Sequence, residues 1–372
     1  LPESVLRFRA IYGMGEVTRG YDGAGNKVEN GLKVTTTGAT AVLEYGITNR
    51  ISAQFLVPYR MNGKVKVDDE TKFKNVGLSQ LFQEKLKEIK FGLDQAAGGV
   101  GLYTNNLPTP IDIPLIEGIP QFTIPAGAKV KDTLDQLAAF AAANPALIES
   151  TAKTLAEDTK FQEGLGDIEI GAKYALSTVE QPWFDGVPFY TSVAAGVRLD
   201  SSKYADATKK GERPVGRGTT DAAIRLNADY EPILGVQLQL ENQTEFMVAK
   251  GKAWNYSEAN GGKEFDLERK GARQLGYSKL VVAPGTWVPA LDTLVLNARY
   301  SWSNDSKTVL GTVEKLGGNS RTAVIGASFD GLNLENKIPV QLDYDRYIAA
   351  RGRDVENAAD AHVVTLKLFY KF

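Results

Sequence analysis

Alternation of apolar and polar residues with a period of two is the feature of this sequence that most limits its fold. In the last segment, HVVTLKLFYKF, the apolar Val364, Leu366 and Leu368 alternate with the polar Thr365 and Lys367. Successive side chains of a β-strand point to opposite faces, so the two sets lie on opposite sides of a strand. About twelve such segments, each of about ten residues, recur along the chain with short and long connections in alternation. The pattern predicts an antiparallel all-β fold.

Length and composition are compatible with a barrel that spans a membrane. The 372-residue chain has no run of 18 apolar residues, which excludes a spanning helix. A barrel sets only every second residue against lipid, in agreement with the mean hydropathy of -0.23. The 43 basic and 45 acidic residues nearly cancel and give no basic footprint for nucleic acid. Since cysteine is absent, disulfides and thiolate metal sites are excluded.

A soluble β-sandwich would also alternate, but two features favour the barrel. The polar faces carry large charges of both signs in strand after strand, which suits a wet lumen. Aromatic rings end the apolar faces, as in Tyr45, Tyr174 and Tyr230 near short turns. Tyr59 and Trp302 do so near long loops, as in the girdles of outer-membrane barrels. We therefore predict an all-β membrane protein of a Gram-negative outer membrane, an antiparallel transmembrane β-barrel of about 12 strands, with 14 as the alternative.

One connection is too long to be a structureless loop. It divides the chain into barrel strands 1–3 (1–64), a helical and proline-rich insertion (65–165) and barrel strands 4–12 (166–372). LSQLFQEKLKEIKFGL, KDTLDQLAAFAAA and PALIESTAKTLAEDTK have apolar residues at helical spacing. Between the first two lies LPTPIDIPLIEGIPQFTIPAG, whose prolines disfavour a central strand, although an extra hairpin there would give the 14-stranded alternative.

The proline-rich segment has two interpretations, because so many apolar side chains do not stay in contact with water. It forms either a folded extracellular cap with its own small core, or a lid or plug that lines a path for an apolar solute. Pockets lined by apolar side chains are common binding sites, which supports the second interpretation. The apolar side chains of this segment are Ile111, Ile113, Leu115, Ile116, Ile119, Phe122 and Ile124.

The polar faces of the strands carry inward charges that are balanced in sign. Balanced charges predict cross-strand ion pairs, rather than the single-sign ring of a strongly ion-selective pore. The lumen is then either crossed by salt bridges with little open area or a narrow, weakly selective path. The predicted lumen charges are Arg7, Arg9, Arg50, Lys173, Arg198, Arg225, Arg299, Lys367, Glu44, Asp167, Glu169, Asp229, Glu241, Glu245, Asp343 and Asp345.

His362 is the only histidine and therefore the only candidate histidine base for a barrel hydrolase. A phospholipase of this kind needs a Ser–His–Asn arrangement on the wall, and the strand of His362 has no serine beside it. Asp360 would orient the ring in a barrel protease with a His–Asp pair.

Two glycine-containing motifs do not form ligand sites. GMGEVTRG lacks the helix of a dinucleotide loop, and DGAGN lacks the terminal glutamate of a calcium loop. We predict no enzyme, no cofactor and no metal site, and place His362 at the barrel rim.

Three segments resemble an outer-membrane channel family linked to the meta-pathway of phenol degradation, itself similar to long-chain fatty-acid transporters. They are LEYGITNRISAQFLVPY (43–59), GLGDIEIGAKYAL (164–176) and GRGTTDAAIRL (216–226). A Gly-Asp that opens one strand and a Gly-x-Gly-x-x-Asp before another are the recurring marks. The resemblance covers most of the barrel and implies passive uptake of small apolar or aromatic molecules. The insertion lies outside it, so no ligand residue carries over.

These observations together predict an outer-membrane channel for small hydrophobic or aromatic molecules, gated or lined by the insertion. The alternative is a closed barrel that acts as a surface scaffold or adhesion protein through its insertion and loops. The expected partners are outer-membrane lipid and lipopolysaccharide, an apolar small-molecule ligand and the barrel-assembly machinery. Nucleic acid is not expected.

Overall fold

The structure is a computed structural model of the 372-residue chain. It describes residues 1–21, 27–74, 111–113, 122–124, 127, 129, 132, 135, 136, 139, 140, 143–146, 149, 150, 153, 160–202, 212–213, 215–255, 263–310, 313–315, 317–334, 337–351 and 360–371.

Twelve long antiparallel strands form a closed barrel, which confirms the predicted fold and strand number. Each strand pairs with the next along the chain, and the first pairs with the last, from Arg7 opposite Lys371 to Arg19 opposite Asp360. The strands are β1 Leu6–Tyr21, β2 Leu32–Gly46, β3 Ile51–Val67, β4 Glu169–Ala175, β5 Phe189–Arg198, β6 Thr220–Ile233, β7 Val236–Ala249, β8 Arg273–Val282, β9 Leu294–Asn304, β10 Asn319–Asp330, β11 Val340–Arg351 and β12 Asp360–Lys371.

The outer wall of the barrel is apolar, as the alternation predicts. Leu226 and Leu240 on adjacent strands are about half exposed, and aromatic rings such as Tyr45 and Tyr370 stand at the ends of the wall. In water this surface would be a very large apolar patch, so it is a surface for lipid. Phe372, expected as the last ring of the periplasmic girdle, lies outside the described residues.

The inner wall carries the polar residues, and little of the barrel is a conventional apolar core. Val42 and Val324 are buried there, each 1% exposed, beside buried carboxylates and amides. The strand RQLGYSKLVV, ambiguous in sequence because Tyr277 and Leu280 fall on opposite faces, is β8. Leu280 lies on the outer wall and Tyr277 on the inner one.

Connections at one end of the barrel are short and those at the other end are long, and by barrel convention the short ones are periplasmic. The short ones include 3-10 helices at Pro284–Thr286, Pro289–Leu291 and Gly331–Asn333. The long ones add a separate four-stranded sheet of Gly251–Asn255, Lys263–Arg269, Thr308–Leu310 and Val313–Lys315, and Lys27–Val28 pairs with β1.

The start of the insertion is fixed to the barrel. Beyond β3, Asp69 caps the short helix Glu70–Lys72 by accepting a bond from the Lys72 backbone N–H at 3.0 Å. The following Phe73 is only 2% exposed. It packs against Gly31, where a Cβ would lie 2.4 Å from the Phe73 nitrogen, so no other residue fits there.

The end of the insertion joins the barrel wall through short strands. Lys160–Phe161 and Gly164–Leu165 both pair with the upper part of β3, and Lys160–Phe161 also pairs with Glu212–Arg213. The described positions between 132 and 153 are helical except Asn144, whose side chain donates a bond to the Phe140 carbonyl at 2.9 Å.

The proline-rich segment forms a hairpin of its own. Ile111–Ile113 pairs with Phe122–Ile124 in a sheet separate from the barrel, so the barrel has 12 strands and not 14. Leu115, Ile116 and Ile119 lie outside the described residues. Among the described residues, no helix is long and apolar enough to cross a membrane.

Candidate pore and its constriction

Two segments that are far apart in sequence meet at the extracellular end of the lumen. Asp167, from GLGD, accepts a bond through Oδ2 from the backbone N–H of Arg217, in GRGTTD, at 2.7 Å. Asp167 is only 7% exposed, and Gly218 has a φ of 67° that favours glycine. The aspartate therefore fixes the end of a long loop against the barrel mouth.

Glu245 of β7 is the most buried charge of the lumen, at 0% exposed. Its two oxygens contact Arg198 Nη2 at 2.9 Å, Arg217 Nη1 at 2.8 Å and Arg273 Nη1 at 3.7 Å. Gln243 donates a further bond to Glu245 Oε1 at 2.6 Å. A carboxylate so deeply buried is tolerable because several cations compensate it. Burial lowers the pKa of the Arg217 guanidinium, and repulsion by Arg198 and Arg273 acts in the same direction.

A second buried carboxylate extends this cluster. Asp221, 1% exposed, contacts Arg269 Nη1 at 3.1 Å and Arg198 Nη1 at 3.8 Å. The Thr219 hydroxyl donates a bond to it at 2.9 Å. Arg198 also binds Glu169 at 2.8 Å, so it connects carboxylates of three strands.

The cluster carries little net charge, because four acids lie beside four arginines, and Arg273 also contacts Asp305 at 2.5 Å at its edge. Charges paired in this way produce little net electric field at the barrel mouth, and they do not form the ring of like charges found in an ion-selective pore. We call the set of residues the constriction. Its members are Asp167, Glu169, Asp221 and Glu245 with Arg198, Arg217, Arg269 and Arg273.

Two cavities lie on either side of the constriction. The lower cavity, towards the periplasmic end, has a volume of about 320 Å³ and is lined by Arg7, Arg9, Glu44 and Lys173 among others. The upper cavity, towards the loops, has a volume of about 590 Å³. Small side chains line its wall on β12, β1 and β2, namely Gly13, Gly15, Thr36, Gly38, Thr40 and Thr365.

Among the residues that the structure describes, only Arg198 and Glu169 line both cavities. Their ion pair has an Nε–Oε1 distance of 2.8 Å and the Arg198 side chain is 11% exposed. The pair is therefore the place where the lumen is divided. Moving this one arginine would join the two spaces.

Most of the predicted lumen charges are paired across strands. Arg7 and Arg9 share Glu44, with an Arg9 Nη2–Oε1 distance of 2.8 Å. On other strands, Lys367 contacts Asp343 at 2.6 Å, Arg299 contacts Asp345 at 3.8 Å and Arg225 contacts Glu241 at 3.7 Å.

Three predicted lumen charges are not part of the cross-strand ion pairs among the described residues. Arg50 is in the turn before β3, where its guanidinium contacts the Gln181 side chain and the Tyr174 hydroxyl. Tyr174 belongs to the outer wall, so Arg50 lies at the periplasmic rim. Lys173 and Asp229 are on inward positions, and within the described part of the chain neither forms an ion pair.

His362 lies on the outer wall, opposite Arg346 and Glu16 in the strand register. Its Nδ1 is 2.6 Å from the hydroxyl of Tyr344, a residue of the outer wall. The side chain of Asp360, considered as its orienting partner, lies outside the described residues. In the described ranges, no group of three or more His, Cys, Asp or Glu is arranged to hold a metal ion.

Sequence reasoning missed four members of the constriction. Asp221 was visible as the last residue of GRGTTD, which the resemblance marked without giving it a role. Arg217 lies in a connection that has no period, Arg269 ends a strand of the separate extracellular sheet, and Arg273 opens the strand whose period was ambiguous. No local pattern could have assigned these arginines to Glu245 and Asp221.

Comparisons with known proteins give a likeness of fold. No family model and no curated protein matches the chain. The COG4313 outer membrane channel from Pseudomonas putida F1 is similar, with a TM-score of 0.56 and 10% identity over 100% of this chain and 97% of that chain. The CymD monoaromatic hydrocarbon channel aligns at a TM-score of 0.34 and 8% identity over 100% of this chain and 88% of that chain. The translocator domain of autotransporter NalP from Neisseria meningitidis aligns at 0.38 and 9%, over 100% and 90%.

The likeness to the COG4313 channel supports the barrel fold, whereas the TM-scores of the other two structures are too low to support a conclusion. The predicted distant likeness to an outer-membrane channel family is confirmed at the level of the fold. Fold and apolar outer wall together indicate the outer membrane of a Gram-negative bacterium, with membrane lipid around the barrel.

Proposed function

We propose that this barrel is a passive channel that admits small molecules with an apolar or aromatic body through the outer membrane. The observation that carries the proposal is the pair of lumen cavities, which meet at Arg198 and Glu169. A barrel used only as a scaffold has no need of space on both sides of one arginine side chain. A long arginine side chain can change rotamer without unfolding a strand.

The chemistry of the path suits a solute with an apolar body. In the upper cavity, Ile11 and Val363 lie beside the glycines and threonines, so a ring can slide along a wall of short side chains. The constriction charges compensate one another, and a solute therefore meets little net field. At the constriction, the channel is expected to discriminate between solutes by size and shape more than by charge.

Replacing Arg198 with alanine tests the path directly. The shortened side chain no longer separates the cavities, so the single-channel current of the purified barrel in a planar bilayer should rise several-fold. Glu245 keeps Arg217 and Arg273 as partners in this variant, so the barrel should remain folded. Arg346→Ala is the matched control, because Arg346 is exposed on the outer wall, and its current should equal that of the wild type.

The outcomes separate a channel from a scaffold. A wild-type current that grows in Arg198→Ala alone supports a water-filled path through the constriction. Silence in both proteins, each shown to be folded by its mobility in unheated gels, would overturn the channel proposal. The closed scaffold, whose insertion and loops form the working surface, would then be the better account.

We also propose that the insertion restricts access to the upper cavity. Support comes from the way its start is held, since Lys72 contacts Glu29, in the connection before β2, at 2.6 Å. Beside this contact, Lys74 binds Glu149 at 2.8 Å and Glu70 binds Lys153 at 2.7 Å, which joins the later part of the insertion to its start. Replacing residues 75–158 with a Gly-Ser linker keeps Phe73 and the short strand Lys160–Phe161. The current should increase in this variant. An unchanged current in a folded deletion variant would show that the insertion is a cap without a gating role.

A further inference from the structure

The lower cavity has an excess of positive charge at its periplasmic end. Arg7 and Arg9 both bind the single carboxylate of Glu44, Arg7 through Nε at 2.6 Å. Lys173, which also lines this cavity, is exposed and has no carboxylate within 4.0 Å among the residues described here. Three cations therefore face the carboxylate of Glu44, while Asp229 on β6 interacts with Lys173 only from beyond ion-pair distance. Arg7 keeps 39% of its side chain exposed, so its guanidinium is accessible to a solute.

The other carboxylates of the lower cavity are engaged elsewhere. Glu245, Asp221 and Glu169 are bound by the arginines of the constriction. Glu241 lies 3.7 Å from Arg225. The excess charge around Arg7, Arg9 and Lys173 is therefore not cancelled by these carboxylates.

The wall beside Lys173 is made of small residues. Gly171 and Gly196 are direct cross-strand partners, and a Cβ on Gly171 would lie 2.9 Å from the Ala195 carbonyl oxygen. Ala194 and Ala223 continue the same inner surface. An apolar cavity of about 150 Å³ holds benzene. The volume of about 320 Å³ is thus sufficient for one ring with a charged substituent.

We propose that the lower cavity is a binding site for small monocarboxylates with a flat apolar body, an inference that rests on the proposed channel function and names a solute class for it. The carboxylate binds to Arg7 and Lys173, and the body lies on the wall of Gly171, Gly196 and Ala194. Guanidinium and ammonium groups form the stronger, charge-assisted hydrogen bonds with a carboxylate. A cation of the same shape is repelled.

Calorimetric titration of the purified full-length barrel with benzoate tests this site without requiring transport. Wild type should bind benzoate and should not bind benzylamine, which has a similar ring and the opposite charge. Lys173→Gln and Arg7→Gln should each weaken benzoate binding about tenfold, since each removes one charge close to the carboxylate. Lys64→Gln is the matched control, because exposed Lys64 near the extracellular end of β3 does not line the cavity.

Each outcome of the titration either supports the carboxylate site or counts against it. Equal benzoate affinity in wild type, Lys173→Gln and Arg7→Gln, or equal binding of benzylamine, would overturn the carboxylate site. No benzoate binding to a barrel that conducts current would remove the inference and leave the channel intact. Benzoate binding that depends on Lys173 in a barrel that never conducts would instead support the site and count against the channel.

Discussion

Replacing Glu245 with alanine lowers the free energy of unfolding of the barrel by about 3 kcal/mol, the lower end of the range for breaking a buried ion pair. The substitution leaves Arg198, Arg217 and Arg273 close together without the carboxylate that they share. The cost stays at the lower end because the Arg217 side chain is 39% exposed and can turn towards water. Urea unfolding in lipid vesicles, followed by tryptophan fluorescence, measures the change.

Glu268→Ala is the control for this substitution. Glu268 also contacts two cations, Lys270 at 2.9 Å and Lys250 at 3.2 Å, but it lies in the extracellular sheet and is partly exposed. Exposed pairs contribute little, so the unfolding midpoint should not change. If Glu245→Ala and Glu268→Ala behave alike, the constriction is not a stabilising element of the barrel.

Leu240→Arg should lower the free energy of unfolding by about 2 to 4 kcal/mol, the cost of an arginine on the lipid face near the bilayer midplane. Leu240 is 49% exposed on the outer wall, between Ala228 and Ser278 in the register. The same vesicle unfolding experiment measures it. The charge has no water or partner carboxylate at that position among the exposed apolar side chains around it.

Gln239→Arg is a matched control one residue away. Gln239 lies on the inner wall, where its amide donates a bond to the Gln237 side chain at 3.0 Å. An arginine there points into a polar lumen, so the unfolding free energy should change far less than for Leu240→Arg. The reverse order would mean that the inner and outer faces of β7 have been exchanged.

The sequence alone was sufficient for the barrel and its two faces, and it favoured 12 strands over 14, a choice that the separate hairpin of the insertion confirmed. The reason is geometric. Strand side chains alternate strictly, so a shift of the strand register by one residue would turn every inward charge of that strand towards lipid. The segments ending in Tyr174 and Tyr230 show this, since each ring is found on the outer wall as the period predicts. The one ambiguous strand, β8, failed to give a clear period because its inner wall carries Tyr277, while Gly276 and Ser278 occupy outer-wall positions beside Leu280.

The sequence predicted that the lumen charges form ion pairs, but it did not predict which residues pair with each other. Balanced signs predicted ion pairs, and the pairs exist, but Arg198 meets Glu245 across 47 residues and two strand boundaries. Arg217 reaches the same cluster from a loop, and Arg269 reaches it from the separate extracellular sheet, so the periodicity of the barrel strands constrains neither side chain. Which carboxylate each arginine binds depends on the stagger of neighbouring strands and the path of the loops.

The period of two, together with charges of both signs on one face and aromatic rings that end the other, therefore determined that this chain closes into a membrane barrel with a charged interior. The tertiary structure alone decided that Asp167 captures the loop at Arg217, that Arg198 divides the lumen, and that the excess positive charge gathers around Arg7 and Lys173. The physical reason is that alternation is a local property of each strand. A lumen site instead forms from residues that only barrel closure and loop folding bring within a few ångströms.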